Sequence, residues 1–453
     1  MKKLTRDFTK GSIPKHLFGF MLPFMLSNAL QVAYNTVDMI IVGKYVGKAG
    51  LSAVSQGSQI MNMATMVFLA FSTAGQTLIA QVMGADKKDE LNSVIGTMFS
   101  IILGLGVLAT GLVLIPRRAL LHILNMPPES YDMCLVYITI CGAGTIFTVG
   151  YNMISAVLRA MGDSRRPFIF IAISSIINLV LDILFTGFWG WGVAGAAAAT
   201  IIGQAVSFIV ALIFLYKHKE SFHFDFRLPS FKIKKKYAKT IFSLGIPMSI
   251  QSAAIHISML FVNSMVNEVG VTASATFGVG IKIDDLCNKI SIGIQYAVAP
   301  MVGQNIAAGE QERAKKTVYF GWLFAGVFTA VFVVFFAIRG DLLFRLFTDD
   351  ADVLGMSPEF IRAILVTFLP LAVMRGSNGF IQGIGNARLS LIIGLIDGVI
   401  VRIGMSYLLG MVFNMGFFGF VRGYALAPFG AAIPGCIYFF SGIWKKRKTL
   451  VED

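Results

Sequence analysis

About twelve stretches of this chain are long and apolar enough to cross a bilayer, which leaves little choice of fold. A spanning helix needs about 20 mostly apolar residues, each adding 1.5 Å across a hydrocarbon core of about 30 Å. Such stretches run at 15–42, 52–83, 93–115, 131–157, 167–187, 193–216, 240–266, 273–303, 317–338, 360–382, 388–410 and 421–443. They are continuous rather than alternating in hydropathy, which excludes a β-barrel. Only 14% of the 453 residues are charged and 56% are hydrophobic, whereas a soluble domain carries about 25% charged residues. The basic start Met1–Lys10 precedes an apolar run too long and too polar for a secretory leader, so no cleaved signal is expected.

The 38 Lys and Arg residues outnumber 24 acids, a balance that in a soluble protein would suggest nucleic acid. Their placement says otherwise. Twenty-six fall in Met1–His16, Ala85–Asn92, Arg159–Pro167, Lys217–Lys239, Ala307–Lys316, Gly385–Arg388 and Lys445–Asp453, and only six in the alternate loops. Positive charge marks the cytoplasmic side. Both termini are therefore expected there, in a multi-pass protein of the cell membrane that binds no nucleic acid.

The halves resemble each other. Leu22-Pro23-Phe24 answers Ile246-Pro247-Met248, Gln81 answers Gln304, and Gly162 and Arg165 answer Gly385 and Arg388, the last three at a spacing of 223. Six spans per half give both halves one orientation, a parallel repeat of the kind transporters use. The expected fold is all-α: twelve transmembrane helices in two six-helix lobes related by an internal repeat. Residues 1–216 form the N-terminal lobe, 217–239 a basic cytoplasmic linker, and 240–453 the C-terminal lobe. Two such lobes around a cavity suggest alternating access. Five histidines without HExxH or paired spacing give no sign of an enzyme, and no Walker A motif is present to couple ATP. An ion gradient remains as the source of work, with no bound cofactor and a monomer expected.

Ionisable groups inside spans cost about 3 kcal/mol or more each and are functional candidates by default. In the first span Asn28, Gln31, Asn35 and Asp38 recur at steps of three, four and three, which puts them on one helix face. Asn178 and Asp182 share a face of the fifth span, and Thr200 lies in the sixth. Counted from the span ends, Asp38, Asp182 and Thr200 reach similar depth in the outer part of the N-terminal lobe. Two carboxylates close together in low dielectric cannot both ionise cheaply. The pair is expected to share a proton or a hard cation such as Na⁺, for which oxygen ligands are suited. A purely structural hydrogen-bonded stripe is the alternative.

These residues carry a family resemblance. Tyr34-Asn-Thr-Val-Asp38-Met-Ile-Ile-Val-Gly43, Asn178-Leu-Val-Leu-Asp182 and Gly192-Val-Ala-Gly195-Ala-Ala-Ala-Ala-Thr200 resemble the multidrug and toxic compound extrusion (MATE) transporters, and the likeness spans nearly the whole chain. The resemblance implies an N-lobe cation or proton site of Asp38, Asn178, Asp182 and Thr200, with Gln31, Asn35 and Asn152 in a supporting polar network. It also implies a bend of the first span near Pro23. The C-terminal lobe departs from the family pattern: its seventh span offers Ser249, Ser252, His256 and Asn263 but no carboxylate. Its charged residues, Asp284, Asp285, Lys289, Arg375, Asp397 and Arg402, read either as a structural ion-pair network or, with His256 and Asn263, as a lining for substrate at Asp285, Arg375, Asp397 and Arg402. Twenty-two Met and 39 Phe suit promiscuous contacts with flat amphipathic compounds. The expected activity is antiport of small organic, cationic compounds or drugs against H⁺ or Na⁺. A flippase for lipid-linked precursors and a non-transporting membrane sensor or scaffold are the other readings.

Overall fold

A computed structural model describes residues 5–123 and 126–452; Lys2 and Lys3 of the basic start lie outside them. Twelve long helical segments account for the spans. They are α1 (Ile13–Tyr45), α2 (Gly47–Gly84), α3 (Lys88–Leu114), α4, α5 (Arg165–Phe188), α6 (Val193–Lys217), α7 (Lys235–Val269), α8 (Val271–Ala307), α9 (Gln311–Arg345), α10 (Ala351–Gly383), α11 (Ala387–Val412) and α12 (Gly416–Ser441). Helix α4 has two arms, Pro128–Ala143 and Thr145–Ala160, set at 45° about Gly144. No strand occurs among the described residues.

Ten of these helices are long and apolar enough to cross a membrane, and α4 is the eleventh when its arms count as one span. The exception, α8, carries Lys282, Asp284, Asp285 and Lys289. Such a helix crosses lipid only with its charged face turned into protein or water. Most helices overrun the apolar stretches, α2 starting at Gly47 rather than 52 and α8 ending at Ala307 rather than 303. Helical hydrogen bonding continues into the interfacial layer, which hydropathy does not register.

By contacts the chain divides into two units. The first comprises Met1–Asp7 and Leu26–Gly245, the second Phe8–Met25 and Ile246–Asp453. The division cuts α1 just after Pro23 and α7 just before Pro247, the helix prolines at matching points of the repeat. Within the first unit α2 packs on α3 and both arms of α4, and α5 packs on α6. Within the second, α8, α9 and α10 pack mutually and α12 lies against α10 and α11.

The repeat reaches the backbone. Positive φ recurs at Gly47 and Gly270, Asp86 and Gly309, Gly162 and Gly385, and Gly192 and Gly416. These turns end one helix and aim the next, a conformation that costs glycine nothing. Both α5 and α11 end in a π-helical turn, Ile183–Phe188 and Leu408–Val412. At each, a glycine of the following helix sits against the widened backbone: a Cβ on Gly195 would lie 2.9 Å from the Phe185 carbonyl carbon, and one on Gly419 2.6 Å from that of Leu409. The repeat spacing is 224 along α1 and α7, where Pro23 answers Pro247, 223 from Gly47 and Gly270 to Gly162 and Gly385, and 224 again from Gly192 and Gly416 onward. The extra residue is absorbed by a second π-helical segment, Ile396–Ile403, that α5 lacks.

Candidate functional site

Within the first unit, Asp38 of α1 and Asp182 of α5 come together. Their side chains lie within hydrogen-bonding reach of each other, and Asn178, one turn before Asp182, reaches the same carboxyl. All three are buried, at 7%, 1% and 4% exposure. Asp38 Oδ1, both carboxylate oxygens of Asp182 and Asn178 Nδ2 have no partner in regular hydrogen-bond geometry. Buried carboxylate oxygens are otherwise nearly always paired. A proton shared by the acids, or a cation held between them, would satisfy the carboxylate oxygens.

Local structure explains the meeting. Asp182 is the last α-helical residue of α5, and the π-helical turn begins at Ile183. Helix α6 approaches α5 at Gly203, where an added Cβ would lie 3.1 Å from Ser174 Oγ and 3.2 Å from Asn178 Cβ. Thr200 is half-buried one turn earlier on α6. Gln31 and Asn152 are also half-buried, and Asn152 donates to the Thr148 carbonyl of its own helix (2.8 Å). Asn35 is exposed.

Sequence reasoning missed the aromatic and thiol surround. Tyr34, Tyr137 and Cys141 lie within electrostatic reach of Asp38, and Ser58 Oγ and Tyr137 Oη are 3.0 Å apart. Tyr34 stands one turn before Asp38, a signal available in the sequence. Tyr137 comes from the first arm of α4, and only the bend at Gly144 and the packing of α2 on α4 bring it in. Among the described residues there is no group of three or more His, Cys, Asp and Glu able to hold a metal. Two carboxylates and an amide form an oxygen set for a proton or a monovalent cation.

The model of one family, MatE, matches the chain twice, over residues 23–184 and 247–408. The two matches stand 224 residues apart, the spacing that separates Pro23 from Pro247 and Gly192 from Gly416. The chain belongs to the MatE family. It is similar to the "Probable multidrug resistance protein YpnP" of Bacillus subtilis (strain 168), with 30% identity covering 98% of this chain and 99% of the relative. The "Multidrug export protein MepA" of Staphylococcus aureus (strain MW2) is 24% identical over 90% of both chains. The fold is that of a multidrug resistance MATE family transporter of the MOP superfamily seen in its outward-facing conformation (TM-score 0.93, 23% identity, 99% of both chains). A MOP superfamily transporter from Pyrococcus furiosus Vc1 (DSM3638) superposes as well, at TM-score 0.93 and 23% identity over 99% of both chains. This MatE chain is thus a multi-pass membrane transporter with twelve helices in two repeated lobes.

The second unit of this MatE protein handles buried charge differently. Arg375 on α10 donates from Nη2 to the Asn288 side chain (2.7 Å) and carbonyl (3.1 Å), from Nε to Ser291 Oγ (3.1 Å) and from Nη1 to Gln295 Oε1 (3.4 Å), clamping α10 to α8. Arg402 donates to Asp397 at 2.8 Å. These two are five residues apart, about 140° round an α-helix, but the π-helical segment Ile396–Ile403 stacks i on i+5. The Arg402 guanidinium lies 4.6 Å over the Tyr424 ring, and Tyr424 Oη donates to Asp284 Oδ2 (3.2 Å). His256 is within electrostatic reach of Asp285 and Arg402, and it, Asp285 and Asn263 are all half-buried. Arg375, Asp397 and Arg402 are thus committed to contacts inside the unit.

Proposed function

We propose that the chain is a secondary active antiporter that exports amphipathic, cationic organic compounds in exchange for H⁺ or Na⁺ by alternating access. The observation that carries this reading is the buried Asp38–Asp182 pair with oxygens that lack regular partners. Arg375, equally buried, shows the contrasting case of a charge held by fixed partners. The names of the relatives, multidrug resistance and multidrug export proteins, support drugs as the exported class.

In the proposed cycle the outward-open transporter takes one proton or Na⁺ between Asp38 and Asp182, with Asn178 and Thr200 as neutral oxygen donors. The bound charge offsets the repulsion between the two acids and lets α1 repack, with Pro23 as the bend. A proline interrupts the helical ladder at that point. Repacking lowers affinity for the bound compound, which leaves outward, and the lobes then convert. Coupling requires only that ion and compound favour different states.

The test is efflux of a fluorescent cation from vesicles holding the purified protein, with pH and Na⁺ gradients imposed separately. One gradient is expected to drive efflux and D38N to abolish it without loss of folded protein. Gradient-driven efflux by D38N at the rate of the parent would overturn the assignment.

A further inference from the structure

The transport cycle leaves unused the segment Lys217–Lys239, which holds eight basic and two acidic residues. It is no loose connection. Phe222 and Phe224 are buried, and Phe224 stacks on Phe99 of α3 at 5.4 Å while Phe231 meets the same ring edge-on at 5.8 Å. Ser100 Oγ donates to the Phe231 carbonyl (2.6 Å), the Lys234 N–H to Thr97 Oγ1 (3.2 Å), and Asn92 Nδ2 to Ser230 Oγ (3.1 Å). Gly96 is pressed so tightly under Ser230 that an added Cβ would lie 1.8 Å from its carbonyl oxygen. At the far end of the segment Tyr237 Oη donates to Glu90 Oε2 at 2.6 Å and so ties the start of α7 to the start of α3.

Clamping one face fixes what the other presents. The acid Asp225 is taken up internally: the Ser230 hydroxyl (2.6 Å) and the Arg227 N–H (3.0 Å) both donate to it and hold its carboxyl below the usual range. On the outer face Arg227, Lys232, Lys234, Lys235 and Lys239 are exposed. Between them stand Leu228 at 89% exposure and Ile233 at 54%. This strap runs from the end of α6 to the start of α7, two helices long and apolar enough to cross a membrane, and holds eight of the chain's 38 basic residues. Exposed leucine and isoleucine among lysines, held rigidly at that level, complement the acyl boundary and phosphates of an anionic leaflet.

We propose that Arg227–Lys239 is a binding surface for anionic phospholipid, with Leu228 and Ile233 entering the acyl boundary while Lys232, Lys234, Lys235 and Lys239 meet the phosphates. Through Ser100, Thr97 and Glu90 the contact bears on α3 and the start of α7. The proposal is independent of the antiport reading, because its readout is position rather than transport.

In the test, full-length L228C carries an environment-sensitive fluorophore, with the unsubstituted protein reporting any labelling of the four native cysteines. The protein is reconstituted in phosphatidylcholine alone or mixed with phosphatidylglycerol, and quencher lipids report contact of residue 228 with the acyl region. Strong quenching is expected only with phosphatidylglycerol. Replacing Lys232, Lys234, Lys235 and Lys239 by Gln should remove it, at about fivefold in apparent affinity per lysine, and Arg at the same positions should restore it. If the fourfold variant does not insert, K234Q/K239Q gives the same reading at two steps. Equal quenching in both lipid compositions, or undiminished quenching in the Gln variants, would overturn the proposal. So would inorganic phosphate reproducing the change in phosphatidylcholine vesicles, since the ligand would then be a free anion.

Discussion

In the first unit Asp182 is 1% exposed and both its oxygens lack regular partners, whereas in the second Asp397 is 4% exposed and accepts from Arg402 at 2.8 Å. The repeat lets the comparison be made position by position. At a spacing of 224, Asp38 falls on Val262, Asp182 on Ser406 and Asn178 on Arg402, and at 223 Asn152 falls on Arg375. Val262 and Ser406 are fully buried, and Ser406 Oγ donates to the Phe420 carbonyl (3.2 Å). One fold therefore houses two kinds of buried charge. In one lobe the buried carboxylates have no fixed counter-charge; in the other, arginines stand where the first lobe has asparagines, and Arg402 pairs with Asp397.

The largest effect expected is on coupling. Replacing Asp38 or Asp182 by Asn should reduce gradient-driven efflux to background with the thermal unfolding midpoint preserved, because a neutral amide takes no charge from the gradient. The opposite pattern is expected in the second unit. R402M leaves Asp397 buried without its partner, a change that costs about 3–5 kcal/mol. A lower unfolding temperature should report it, with ion-driven efflux retained by whatever protein remains folded. The double variant D397L/R402M should regain most of that stability. If R402M instead abolished coupling at full stability, the contrast between the lobes would fail.

N178A should be milder than either acid replacement. It removes one side-chain contact to Asp182, and the gradient needed for half-maximal efflux should rise about tenfold. The smallest effect concerns Glu90, ahead of the apolar stretch 93–115, whose carboxyl is held below its usual range first by the Tyr237 hydroxyl and then by Lys236. A depressed folded-state pKa contributes stability that is present above the unfolded value and lost as pH falls through the folded one. Y237F should therefore cost about 1 kcal/mol near neutral pH, and the difference from the parent should vanish under acid conditions where Glu90 is protonated. Unfolding curves at the two pH values check it.

Much of this was legible in the sequence. Hydropathy located the spans, since in lipid a backbone must satisfy itself. Depth counting brought Asp38 and Asp182 to one level, because a helix advances by a fixed rise per residue. The rest was hidden for physical reasons. The fourth span reads as one stretch, and nothing in its composition shows the 45° bend at Gly144 that delivers Tyr137. Asp397 and Arg402 stand on different faces of any α-helix, so only a π-helical backbone makes them partners. Lys217–Lys239 read as a basic cytoplasmic linker, because its charge masked Phe224 and Phe231, whose docking on α3 depends on the missing side chain of Gly96. Asn35, grouped with the polar face of α1, is exposed, which a spacing rule cannot distinguish from a position lining the bundle.

The π-helical turns that close α5 and α11 also bear on how such a chain arose. A helix that has gained a residue does not shed it easily, since a deletion rotates everything downstream by about 100°. The same surplus stands at matching addresses in both halves, each met by a glycine on the next helix. A surplus that entered a half-length ancestor before its duplication would leave this matched pattern. The additional π-helical segment at Ile396–Ile403 stands in one half alone among the described residues, and it is the segment that carries the Asp397–Arg402 ion pair.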